Sequence, residues 1–129
     1  MSRENVEVME AVYAAISDRD LNAFLALAHP EIEFRSLIAE AEGQTFHGHE
    51  GVREWWESVI LSLDVRPGAE AIEGFRDRGV GRLRLAGNVA GTRVPQTMWM
   101  AWRVRGGLLI WWETFRTEDE ALEAVGLRE

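Results

Sequence analysis

Along the first third of the chain, apolar residues recur at threes and fours. Val6, Met9, Val12, Tyr13 and Ile16 make one stripe of an amphipathic helix, and Ser2 is placed to cap it. Asp18-Arg19-Asp20 interrupts the stripe, and Leu21 to Ala28 predicts a second, shorter helix ending near His29-Pro30. Ile32, Phe34 and Ser36 then alternate with Glu33, Arg35 and Leu37, which is the period of a strand. A loop is expected from Ile38 to Thr45, and Phe46 to Gly51 reads as a turn into a third helix, Val52 to Leu63. That helix would bury Val52, Trp55, Trp56, Val59, Ile60 and Leu63. From Val65 onward the period becomes two, and Ala69 to Phe75, Val80 to Ala86, Val94 to Val104 and Leu108 to Phe115 predict strands. Arg76 to Gly79 and Gly106-Gly107 supply hairpin turns. A short helix, Glu118 to Val125, closes the chain before Gly126, with Thr117 and Glu120 in capping-box spacing. Helices first and a meander second predict one α+β domain over residues 1–129: three N-terminal helices packed into the concave face of a curved antiparallel sheet.

The last hairpin carries the most information. Between Val94 and Phe115 stand Trp99, Trp102, Trp111 and Trp112, with a single acid, Glu113, among them. If Gly106-Gly107 is a two-residue turn, Trp102 pairs with Trp111 and Met100 with Glu113. Uninterrupted alternation then puts Met98, Met100, Trp102, Val104, Leu109, Trp111, Glu113 and Phe115 on an inward face. Trp99, Ala101, Arg103, Arg105, Ile110, Trp112 and Thr114 fall on the outer one. A bulge in either strand would exchange the faces beyond it. On this reading Trp99, Arg103 and Trp112 form an outer aromatic patch suited to a homodimer.

Composition narrows the chemistry. The net charge of −8, from 22 acidic against 14 basic residues, argues against a nucleic-acid or acidic-membrane partner. Every basic residue is arginine, so no lysine can form a Schiff base. There is no cysteine for a disulfide, a thiolate nucleophile or a zinc–sulfur site. The first residues are amphipathic and charged, unlike a signal peptide, and no run reaches the length of a membrane span. A cytoplasmic protein without metal or cofactor is the expectation.

Together these pieces resemble the cone-shaped α+β superfamily of nuclear transport factor 2, and within it the SnoaL-like polyketide-cyclase group. VYAAISDRDLNAFLALAHPEIEF is similar to its first two helices and first strand, and FHGHEGVREWW to its turn into the third helix. AWRVRGGLLIWWETF with EDEALEAVGL is similar to its last hairpin and closing helix. The resemblance implies a cone with an internal cavity, and a function ranging from isomerase, dehydratase or cyclase to pure binding. Where ketosteroid isomerases of this fold carry a tyrosine and two aspartates, this chain places Val12, then Arg35 or Ser36, then Met100, which argues against that route. Polyketide cyclases of the fold use an acid on the last strands with a histidine nearby. Glu113 stands in a comparable place, opposite Met100 rather than a histidine.

A small apolar ligand would then lie between the first helix, the third helix and the hairpin. The expected lining is Phe34, Trp56, Met98, Met100, Trp102 and Trp111, with Glu113 and Tyr13 as catalytic groups. An apolar setting would raise the Glu113 pKa and suit it to acid–base work on a carbonyl compound. The alternative is a carboxylate paired with an arginine or turned outward. Tyr13 either donates to a ligand oxygen or is a core tyrosine. His47 and His49, which flank Gly48, orient the turn or border the cavity, and His29 marks a helix end. Arg35 pairs with Glu33 or Glu113, or meets an anionic ligand. Of Trp55 and Trp56, one is expected in the core and the other at the cavity mouth or a partner subunit. Two readings stand: a cofactor-free lyase, isomerase or cyclase using Glu113, and a non-catalytic binding or dimerisation module of the same fold.

Overall fold

The computed structural model describes residues 2–35, 45–61, 64–89, 92–93 and 97–127. Ser36, the expected loop from Ile38, Leu63 and the start of the strand at Val94 lie outside these residues. Helix α1 spans Ser2–Ser17 and α2 spans Leu21–Leu27. Between them Arg19 takes φ +55°, and its N–H and that of Asp20 close back on Ile16 and Ala15. Asp20 then caps α2, its carboxylate accepting from the Ala23 N–H at 3.1 Å. Strand β1 is Ala28–Arg35, β2 is Thr45–His47, and α3 is Gly48–Trp55. The third helix continues as a wider π-helical turn over Trp56–Leu61. Then come β3 (Asp64–Phe75), β4 (Arg78–Val89), β5 (Thr92–Arg93), β6 (Thr97–Arg105), β7 (Leu108–Phe115) and α4 (Glu118–Ala124).

The sheet runs in the order β2-β1-β7-β6-β4-β3, with the short β5 paired to β4. Neighbouring strands in the sheet pair antiparallel with one exception. The exception is β1, which lies parallel to β7. No hairpin links that pair, so nothing local fixes their relative direction. Gly106 and Gly107, at φ +59° and +81°, form the two-residue turn between β6 and β7. Register shifts interrupt β1, β3 and the β6–β7 ladder, and such bulges bend and twist a sheet. The result is the expected α+β architecture, a curved and unclosed sheet with helices against it.

Among the described residues, two apolar clusters hold the fold. The larger joins Met9, Val12, Tyr13 and Ile16 of α1, Phe24 of α2 and Val52 and Trp55 of α3 to Phe34, Met98, Met100, Trp102, Val104, Leu109 and Trp112 of the sheet. The smaller joins Ala121 and Val125 to Val80 and Ala101, with Trp99, Trp111 and Phe115 packed around it. Met100 and Ala101 are neighbours on one strand and belong to different clusters, so the two clusters occupy opposite sheet faces. Glycines on β3 and β4 make room in the larger cluster. Gly79 lies opposite Trp102, and Gly81 opposite Met100. A Cβ at Gly79 would stand 2.5 Å from Trp102 Cζ2, and one at Gly74 3.1 Å from Trp102 Cη2. Trp102 therefore lies over a glycine floor. Among the described residues no helix is long and apolar enough to cross a membrane.

Candidate functional site

The larger cluster is incompletely filled. Between α1, α2, α3 and the sheet remains a space lined by Val12, Tyr13, Ile16, Phe24, Trp55, Leu83, Met100, Leu109, Trp112 and Thr114. Atom-free space there amounts to about 410 Å³ with open solvent included, but the cavity itself is only about 30 Å³. That is more than the roughly 10–15 Å³ one water needs. A larger guest would have to move side chains, and Met100 is the lining residue best able to adapt.

Each element supplies its share for a local reason. The helical stripe of α1 brings Val12, Tyr13 and Ile16 to one side. The Tyr13 hydroxyl donates to Met100 Sδ at 3.1 Å, and burial pushes its pKa up, so it stays protonated. Sulfur is a weak acceptor, so this hydroxyl is only loosely held. From α3, Trp55 packs edge-on to Phe34 at 5.5 Å and to Trp112 at 5.3 Å. Phe34 is itself stacked between Phe46 at 5.1 Å and Trp112 at 4.8 Å. Trp55 and Trp112 are buried, yet neither indole N–H has a hydrogen-bond partner.

The position of Trp112 corrects the uninterrupted reading of the hairpin. Arg105 pairs with Leu108 and Val104 with Leu109, but the ladder then slips and Arg103 pairs with Trp111. Ile110 is the extra residue, and beyond it the faces exchange. Trp112 and Thr114 turn inward beside Leu109, each no more than 5% exposed. Trp111, Glu113 and Phe115 turn towards α4. Glu113 is paired with Ala101, which packs against Ala121 and Val125. The expectation that Trp111 and Glu113 line the cavity is therefore not met. The proposed outer patch of Trp99, Arg103 and Trp112 also changes. Trp112 leaves it, and the Arg103 guanidinium lies 5.4 Å from the Trp111 ring centre instead.

Of the other residues expected at the cavity, Tyr13 and Met100 line it. Phe34, Trp56, Met98 and Trp102 are buried in the surrounding core without lining it. Trp55 and Trp56 are both 2% exposed, so neither is left at a mouth. The helix widens at Trp56, which lets successive residues both reach the core, and Trp56 meets Phe24 edge-on at 5.7 Å. Val12, Ile16, Phe24, Leu83 and Thr114 are lining residues that the sequence reading had not placed there. Their only signal was membership of apolar stripes, and for Thr114 there was none.

The histidines serve the frame. His49 Nε2 lies 2.8 Å from the Ala28 carbonyl and ties α3 to β1. His29 Nδ1 accepts from the Glu31 N–H at 2.9 Å, and His47 faces Glu33 at 3.4 Å across β1 and β2. No cluster of three metal-ligating side chains occurs among the described residues.

Glu113 is half-buried and sits beside Arg35 in register on β1, whose Nε also donates to Thr45 Oγ1 at 2.9 Å. Desolvation raises the Glu113 pKa above its ordinary 4.5, and the Arg35 charge offsets only part of that. A carboxyl with a raised folded-state pKa binds its proton more tightly in the folded protein. Its contribution to stability is thus lost as pH rises through that folded value. Glu113→Gln is expected to leave acid-side stability unchanged and to raise it slightly at neutral pH. Urea unfolding at the two pH values checks this. A variant less stable at neutral pH would mean that the Arg35 attraction outweighs desolvation.

A curved, unclosed sheet with helices over an apolar interior defines an α+β cone of the nuclear transport factor 2 type. The sequence profile of the SnoaL-like domain matches residues 9–112, and the chain belongs to that family. No curated protein matches the chain by sequence. Among solved structures, TerC co-crystallised with polyporic acid is similar at TM-score 0.75 and 25% identity, covering 95% of this chain and 98% of its own. RV0760c from Mycobacterium tuberculosis, in complex with estradiol-17beta-hemisuccinate, superposes at TM-score 0.75 with 16% identity, covering 92% and 97%. An NTF2-like protein of unknown function from Burkholderia pseudomallei gives 0.73 with 22% identity, covering 95% and 97%.

Proposed function

We propose that this chain binds a small, mostly apolar molecule in the space between α1, α3 and the sheet. One observation carries the reading: the core keeps a hydrocarbon-walled gap whose lining, among the described residues, contains no carboxylate, histidine or arginine. Two proteins of the same fold, TerC and RV0760c, hold small molecules, which supports it. Binding is favoured over lyase, isomerase or cyclase chemistry at Glu113, because that carboxylate lies on the face packed against α4. Tyr13, kept protonated by burial, can donate a hydrogen bond but cannot serve as a base at neutral pH.

Titration with indane, a rigid bicyclic hydrocarbon, tests the reading. Saturable quenching of tryptophan fluorescence and a rise in Tm are expected. Leu83→Phe, which narrows the space, should weaken both effects. Absence of any saturable response in the unaltered protein would sink the proposal.

A further inference from the structure

Arginines gather where the β3–β4 hairpin turns. Arg76 lies in that turn, Arg78 opens β4, and Arg78 stands directly opposite Arg103 on β6. The Asp77 carbonyl accepts from the Val104 N–H at 2.8 Å, which brings Arg105 to the same end of the sheet. Like charges opposed across a ladder repel. In a chain of net charge −8, composition alone does not account for such a cluster. One described ion pair falls within it, Arg78 Nε to Asp77 Oδ1 at 3.0 Å. Asp77 answers more than one guanidinium. The hydrogen bond from Arg78 and, more weakly, the charge of Arg103 hold its carboxyl below the usual carboxylate range. Arg103 lies over the Trp111 ring, and its Nε is buried without a hydrogen-bond partner. Positive charge at this end of the sheet thus exceeds what Asp77 alone can neutralise.

Beside the cluster, between the hairpin turn and the end of α4, is a cleft of about 390 Å³. Phe75, Arg76 and Arg78 line one side, and Val125 and Leu127 the other. Phe75 is 55% exposed, the one large apolar side chain so open among the described residues. The Arg76 guanidinium lies 5.3 Å from the centre of that ring. Arg76 also holds φ +60°, a backbone conformation that favours glycine. We propose that this cleft is a second binding site, for an oxyanion (carboxylate or phosphate) carried on a small apolar body. Arg76 and Arg78 take the oxygens, since a guanidinium fork matches either group. Arg103 adds its charge from beside Arg78, and Phe75 and Leu127 cover the apolar part. Val125 belongs to the cluster on the α4 face of the sheet, so the site is separate from the space between the helices and the sheet. It stands or falls independently of that reading.

The test titrates the full chain at low ionic strength with phenylacetate, phenyl phosphate, the neutral phenylacetamide and acetate. Affinity is read by calorimetry, and location by backbone amide shifts in NMR. Expected is about tenfold tighter binding of phenylacetate than of phenylacetamide, the worth of one charge-assisted hydrogen bond. Acetate, which lacks the ring, should bind more weakly than phenylacetate, and added salt should weaken both. The tighter of the two aromatic oxyanions identifies the headgroup. The Arg76 and Gly126 amides should shift, while those of Val12 and Ile16, beside the inner space, stay in place. Asp77→Asn removes the competing carboxylate and should tighten phenylacetate binding several-fold. Arg76→Gly should weaken it several-fold and raise Tm by a few degrees, because glycine accepts the positive φ. A purely structural cluster would not give affinity changes of opposite sign at adjacent positions. Phenylacetamide binding as tightly as phenylacetate, or acetate doing so, would overturn the proposal. So would shifts at Val12 and Ile16 in place of Arg76 and Gly126, weaker binding in folded Asp77→Asn, or no binding of either aromatic oxyanion. The titration and shifts are read on the unaltered protein, so a variant that fails to fold leaves the test intact.

Discussion

Replacing Trp102 with alanine is expected to destabilise the protein by about 3–5 kcal/mol, among the largest effects a single core truncation produces. Trp102 is fully buried and lies against the edge of the β3–β4 hairpin, where Gly74 and Gly79 leave it room. Truncation would leave a hole that this floor cannot close, because strands paired along their length cannot collapse onto it. Trp102→Phe should cost far less. It keeps most of the ring contact and removes an indole N–H that has no partner. Urea unfolding of the two variants separates packing from polarity. Equal losses would show that the glycine floor relaxes freely and that shape at this position matters little.

Phe34→Ala is expected to cost a similar amount, about 3–5 kcal/mol. Phe34 is stacked between Phe46 and Trp112 and meets Trp55 edge-on, so its loss removes three aromatic contacts at once. Its consequences should also differ from those at Trp102. Trp112 would lose its stacking partner, and the orientation of a cavity-lining ring would loosen. Reduced stability should therefore be accompanied by weaker indane binding in Phe34→Ala, at temperatures where both proteins are folded. Indane binding should be nearly normal in folded Trp102→Phe. Calorimetry on the folded proteins distinguishes the two; unchanged indane affinity in Phe34→Ala would show that Trp112 is held by Trp55 alone.

The legible parts of this chain were those governed by local rules. Spacing at threes and fours located α1, Asp18-Arg19-Asp20 marked the break before α2, and Gly106-Gly107 announced a tight turn. Thr117 also caps α4 in the structure, accepting from the Glu120 N–H at 3.2 Å. The face assignment of β7 was not legible beyond Ile110. Period-two counting assumes an unbroken ladder, and Trp111-Trp112 puts the same side chain on both faces, so the pair carries no parity information. Glu113 offered a contrary signal, since a carboxylate prefers the wetter face. Uninterrupted alternation from the Gly106-Gly107 turn drew it inward instead. The parallel pairing of β1 with β7 depends on contacts across most of the chain length, for which no local pattern exists. The widening of the third helix at Trp56 was invisible for a different reason, because helical periodicity assumes one pitch throughout.

The slip at Ile110 also bears on strand alignment, through Glu113. An unbroken ladder would set Glu113 opposite Met100, hard by the Tyr13 hydroxyl that bonds its sulfur. A carboxylate there would be stripped of water with no cation among the described lining residues to answer it. Both arrangements bury one of two adjacent tryptophans, so the aromatic rings discriminate weakly between them. The acid does discriminate, and it excludes the straight alternative. The charge at Glu113 thus disfavours the straight register. A leucine in its place would remove the penalty on the competing alignment and leave the hairpin with two conformations closer in energy.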